Sequence, residues 1–145
     1  MIVLLFAQFS EAKNFDKINI NGNFIVIDGD HFDSRLELRN EYGAVKEIPI
    51  KKNGNFSFEA EKNKNYVLSF IKEGYINKEV IIDTHFDGDL KLGNVVFAVK
   101  LFPQASDSAE LIYNEPVGAI RFVSGTEFVV EYNYSVALLP ARMNF

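Results

Sequence analysis

The sequence has no cysteine and no tryptophan, and only two histidines. The missing cysteine excludes a disulfide framework, thiolate metal ligation and a thiol nucleophile. It does not fix the compartment. Basic residues are the minority: 15 Lys and Arg against 20 Asp and Glu leave a net charge of −5. A nucleic-acid binder needs the opposite, a basic stripe that neutralises phosphates. Long apolar runs are also missing, since no segment approaches the roughly 20 residues of a membrane-spanning helix. Nor does any stretch keep apolar residues at a spacing of three and four, so helix is expected to be minor.

What is present favours strands. The chain is 145 residues long, 48% hydrophobic, and carries 14 Phe and 6 Tyr. Aromatic and β-branched residues suit a pleated, half-buried surface, and this length fits one domain. Short apolar segments punctuated by turn residues run from residue 18 to 101. Ile18 to Ile27 predicts a first strand, interrupted at Asn21-Gly22. In Ser34 to Arg39, Leu36 and Leu38 face one side while Arg35, Glu37 and Arg39 face the other, the period of a sheet with one wet face. Asn40-Glu41-Tyr42-Gly43 closes that strand, and Ala44 to Ile50 predicts the next, placed at an edge by Pro49, which cannot donate to a ladder.

Asn53-Gly54 predicts a type I′ hairpin, which needs positive φ at both central residues. Asn55 to Ala60 follows with Phe56 and Phe58 on one face. Tyr66 to Ile71, Ile76 to Asp83 and Asn94 to Leu101 complete seven strands, at the spacing of a sandwich or barrel. Beyond them, PQASDSAE (103–110) reads as a linker, and Ala105 to Ile112 as one helical turn or two. Ala119 to Val123 and Glu127 to Val136 look strand-like again, either pairing with the sandwich edge or beginning something larger. At the other end, Met1 to Ala7 is apolar and Ser10-Glu11-Ala12 has the small residues of a cleavage site, so residues 1–12 are expected to be a signal-peptide remnant. The competing reading makes residues 2–7 an ordinary strand.

Gly54-Asn55-Phe56-Ser57-Phe58, then Tyr66-Val67-Leu68-Ser69-Phe70 and Lys72-Glu73-Gly74-Tyr75, resemble the carboxypeptidase regulatory-like, or transthyretin-like, β-sandwich family of bacterial exported and envelope proteins. The resemblance spans residues 18–101. It implies an all-β, seven-stranded Greek-key sandwich of the prealbumin-like, Ig-like kind, with residues 102–145 as a linker and C-terminal extension outside the module. It also implies an accessory role, as spacer or as a contact for protein or sugar. The fold includes a purine-catabolism hydrolase with a Tyr-Arg-Gly-Ser motif, but residues 141–145 read Ala-Arg-Met-Asn-Phe.

Chemistry-bearing clusters are few. The loops Asp28-Gly29-Asp30-His31-Phe32-Asp33 and Asp83-Thr84-His85-Phe86-Asp87-Gly88-Asp89 could share a calcium ion if they met at one end of the sandwich. Their spacing is not that of an EF-hand, and acidic Asp-Gly clusters are ordinarily solvated turns. His31 and His85 would need a third ligand, and a shared location, to bind zinc. No Ser-His-Asp order, phosphate loop or paired catalytic carboxylates emerge, so we assign no catalytic, cofactor-binding or metal residue and expect no enzyme.

The expectation is therefore a non-catalytic structural or interaction module, exported to the periplasm or outer-membrane surface. Its partner would be an envelope protein, engaged through the Ala44–Ile50 edge or the aromatics Phe128, Tyr132 and Tyr134. The alternative is a carbohydrate-binding module, with or without calcium. That alternative needs exposed, coplanar rings among Phe32, Tyr42, Tyr75 and Phe86.

Overall fold

The computed structural model describes residues 17–91, 94–105 and 109–141. The expected signal segment at residues 1–12 lies outside them. The described chain is all-β: β1 (Lys17–Val26), β2 (Ser34–Asn40), β3 (Val45–Ile48), β4 (Asn55–Glu61), β5 (Asn65–Lys72), β6 (Lys78–Asp83), β7 (Asn94–Leu101), β8 (Leu111–Tyr113), β9 (Gly118–Ser124), β10 (Glu127–Tyr132) and β11 (Leu138–Pro140). Three strands form one sheet in the order β4-β1-β7, six form another in the order β10-β9-β6-β5-β2-β3, and β8 pairs with β11 alone. Most neighbours are antiparallel, but β1 runs parallel to β7 and β6 runs parallel to β9.

The two larger sheets share one core, as in a sandwich. Ile18, Ile20, Phe24, Phe56, Phe58 and Val95 come from the small sheet, and Leu36, Leu68, Phe70, Ile82 and Ile120 from the large one. Alternation explains the selection, since every second side chain of a strand points to one face. Phe70 sits at the centre of the join, edge-on to Phe24 at 5.1 Å and to Phe56 at 5.8 Å between ring centroids.

Several expectations change. β1 is not interrupted at Asn21-Gly22: both residues stay in the ladder with β4 and β7. Gly22 is needed for space, because a Cβ there would lie 2.3 Å from Cζ of Phe56. The Asn53-Gly54 turn is not type I′, since only Gly54 has positive φ (+89°). Gly54 N–H donates to the Lys51 carbonyl and Lys51 N–H to the Asn55 carbonyl, a five-residue turn. It carries the chain from β3 in the large sheet to β4 in the small one, so it joins no paired hairpin. The expected edge strand is confined to Val45–Ile48, ending before Pro49.

Beyond Leu101, no helix forms among the described residues of 105–112. Gln104 instead brackets Leu111, its amide donating to the Leu111 carbonyl (2.8 Å) and accepting from the Leu111 N–H (2.9 Å). That fixes Leu111 as the start of β8. Of the two readings of the tail, edge pairing is what occurs: β9 docks beside β6 and β10 beside β9. Ile120 and Phe122 thereby enter the common core. No helix among the described residues is long and apolar enough to cross a membrane.

Candidate interaction surface

Strand register separates the groups that could have shared a substrate or an ion. Ser34 pairs with Lys72 at one end of β2, and Asn40 with Tyr66 at the other. Six residue steps of strand cover about 20 Å. The 28–33 loop leads into Ser34, while the 83–89 loop leaves β6 where Asp83 pairs with Asn65. His31 and His85 therefore lie at opposite ends of the large sheet. The two acidic loops do not meet.

Each loop is held by its own contacts. Lys72, nearly buried, directs its ammonium to the Phe32 carbonyl, with the Asp30 carboxylate at 3.8 Å and the Tyr75 ring beneath it. Tyr75 donates its hydroxyl to the Ile27 carbonyl at 2.8 Å, tying the turn after β5 to the end of β1. His31 packs edge-on to Phe24 at 5.7 Å. Burial, with a smaller push from Lys72, holds its imidazole below the ordinary histidine value against the opposing pull of Asp30. At the far end Thr84 is fully buried; its hydroxyl lies 2.6 Å from the Glu61 carbonyl and accepts from the Lys64 N–H at 2.9 Å. These are packing solutions for loops.

Asp83 anchors a chain of charges across the outer face. His85 Nδ1 lies 2.8 Å from one carboxylate oxygen and Arg121 Nη1 3.0 Å from the other, while Arg121 Nε reaches Glu131 at 2.9 Å. Burial pushes the Asp83 carboxyl up. Hydrogen bonds from His85 and the charges of His85 and Arg121 outweigh it, and the net shift is downward. A depressed carboxylate adds stability that is present above its unfolded value, near 3.9, and is lost as pH falls through the folded value. The melting-temperature gap between wild type and Asp83→Asn should therefore be full near neutrality, begin to narrow at about pH 4 and close only below the depressed folded value. Thermal unfolding from pH 3 to 7 checks this; a gap of constant size refutes it.

The four rings of the sugar expectation do not assemble. Phe32 (75% exposed) and Tyr42 (80% exposed) flank opposite ends of β2. Tyr75 and Phe86 are partly buried against the core, and Phe86 stacks on Phe122 at 5.4 Å. Of the tail aromatics, Phe128 packs back on the core, whereas Tyr132 and Tyr134 stay exposed with their rings tilted 44° apart.

Tyr132, expected from the sequence as a contact aromatic, borders a cleft that sequence reasoning missed, where the two sheets differ in width. In the β9–β10 pair, Phe128 sits opposite Phe122, Val130 opposite Ile120 and Tyr132 opposite Gly118. Facing partners share a side of the sheet, so Val130 and Tyr132 point to the side that elsewhere is core. They are nonetheless 42% and 69% exposed. Among the described residues the small sheet ends at β7 and does not cover them. A cleft of about 360 Å³ remains there, bounded by Phe97 and Val99 of β7, Phe102, Val117, Val130 and Tyr132. Lys78 and Lys100 also line it, and Lys78 lies over the Phe102 ring at 5.1 Å. The apolar alternation of β10 was legible; the missing strand opposite it was not.

Neither the models of known protein families nor the curated protein sequences give a match to this chain.

Proposed function

We propose that the chain is a non-catalytic protein-interaction module of an exported or cell-envelope bacterial protein, built on a Greek-key sandwich of the transthyretin-like, carboxypeptidase regulatory-like type. The observation that carries the interaction reading is the uncovered inner face of β9 and β10, where Val130 and Tyr132 are exposed on the side that is core elsewhere. Leaving such surface in water forfeits about 25 cal/mol per Å² of apolar area, and a contiguous apolar patch of this kind marks a contact surface. The fold reading draws on the residue pattern at 54–75 and on seven strands between Lys17 and Leu101 divided over two sheets. Export draws on the apolar start and Ser10-Glu11-Ala12. The distance between His31 and His85 weighs against a shared catalytic centre.

The test is a selection of random twelve-residue peptides displayed on phage against the full chain, with a glycan array run in parallel. Tyr132→Asp, at a site exposed enough to leave folding intact, serves as the control. Peptides should be enriched on the wild type and bind the variant at least about tenfold more weakly. Enrichment that Tyr132→Asp leaves unchanged, or glycan binding with no peptide enriched, would overturn the reading.

A further inference from the structure

Among the described residues four strands end the two larger sheets: β3, β4, β7 and β10. Natural sheets guard such edges with charge, proline or brevity, because an open ladder invites pairing. β3 is four residues long, carries Lys46 and Glu47, and stops before Pro49. β4 carries Glu59 and Glu61, and β10 carries Glu127 and Glu131. β7 has no such guard from Val95 to Val99, a run of Val-Val-Phe-Ala-Val. The edge with the strongest β-forming sequence is also the one beside the cleft.

The next strand position beyond β7 lies about 4.8 Å away. A strand placed there would complete a fourth row in the small sheet and cover Val130 and Tyr132. It would bury alternate side chains in the cleft while pairing its backbone with the free side of β7. Charge marks one end of this slot. Lys78 and Lys100 stand at the end of β7 near Leu101, and neither forms an ion pair among the described residues. Burial, and then the charge of Lys100, press the Lys78 ammonium below the ordinary lysine value. Among the described residues neither cation has a carboxylate paired with it, the cleft's own Glu131 being bound to Arg121.

Resting on the interaction reading above, we infer that the β7 edge accepts one extended segment of a partner protein, alternating in apolar residues and presenting a carboxylate beside Lys78 and Lys100. A second copy of this chain does not fit. Antiparallel pairing of two β7 edges relates the copies by a dyad perpendicular to the sheet, which drives both β9–β10 overhangs into the same space. Only a slim, single strand enters.

The probe is an acetylated and amidated octapeptide alternating Val and Ser, made with Glu, Gln or Lys at either terminal position. Binding to the full chain is read by fluorescence anisotropy and by hydrogen exchange of the β7 amides. The Glu peptide should bind about fivefold more tightly than the Gln peptide at low salt, with the Lys peptide weakest. That preference should vanish in the Lys78→Gln/Lys100→Gln variant, and those amides of Val95–Lys100 that point away from β1 should gain protection in the complex. Equal affinities for the three peptides overturn the carboxylate. Binding without β7 protection, no binding at all, or dimerisation through β7 overturns strand uptake. In each case peptides from the phage selection that still need Tyr132 would leave the broader interaction reading standing, whereas failure of that selection too would remove both.

Discussion

Phe70→Ala should cost about 3–5 kcal/mol of unfolding free energy, the range for truncating a buried aromatic in a rigid core. Phe70 is fully buried on β5 and meets Phe24 of β1 and Phe56 of β4, so it touches two strands of the opposite sheet at once. The lost area accounts for about 1.5–3 kcal/mol; the remainder is the cavity, which the two flanking rings cannot collapse to fill without leaving their own rotamers. Urea unfolding followed by far-ultraviolet circular dichroism checks this. A loss under about 1 kcal/mol would mean that the aromatic cluster is not the join between the sheets.

Gly54→Ala should be comparably severe, at about 3 kcal/mol, combining the left-handed backbone penalty of about 1–2 kcal/mol with a backbone collision. At φ +89° an added Cβ would sit 2.3 Å from the Phe24 carbonyl oxygen and 2.8 Å from Nε2 of His31. The Phe24 oxygen belongs to a strand and cannot swing away. Gly54 also accepts the Phe24 N–H at 2.8 Å, so movement of the turn breaks a bond that ties it to β1. Thermal unfolding of the variant measures the loss. Gly43→Ala is the informative comparison: Gly43 has a similar φ of +88° but nothing within 4 Å of an added Cβ. It should show the backbone penalty alone. Equal losses at both positions would remove the collision from the account.

Gly43 and Gly54 also show how far the sequence could be read. Each closes the same five-residue turn: Gly43 N–H donates to the Asn40 carbonyl and Asn40 N–H to the Ala44 carbonyl, the pattern repeated at Lys51, Gly54 and Asn55. Turn chemistry is local, so both turns were visible. Yet the first joins the paired strands β2 and β3, and the second switches sheets. Nothing in four or five residues records which sheet will receive the next strand. Alternation gave Leu36, Leu38, Phe56 and Phe58 as core, because burial on one face leaves a period of two. Gly22 was misread as a break because its reason, the Phe56 ring, is supplied by a strand more than thirty residues later.

Of the interaction surface only Tyr132 was legible, and the cleft beside it was not, for a similar reason. Tyr132 was expected as a contact residue, but Val130 looks like a core position, and in a wider small sheet both would be covered. Their exposure follows from a strand count on the opposite layer, which depends on β9 and β10 joining the large sheet alone. Lys78 and Lys100 lie on different sheets and come together only through packing. By contrast, the separation of His31 from His85 follows directly from strand alternation once the antiparallel order β2-β5-β6 is known.

The parallel pairing of β1 with β7 has a consequence in time. Asn19 meets Asn94 and Phe24 meets Val99, so the central strand of the small sheet cannot acquire its second neighbour until nearly the whole module has been synthesised. At roughly 5–20 residues per second, Ile18, Ile20 and Phe24 wait roughly 4–15 s on the ribosome without the second neighbour of their strand. Such long-range closure belongs to the slow end of single-domain folding, on the order of milliseconds to seconds once the chain is free. Until β7 emerges, the strand edge that it will cover on β1 stays open to pairing with another chain.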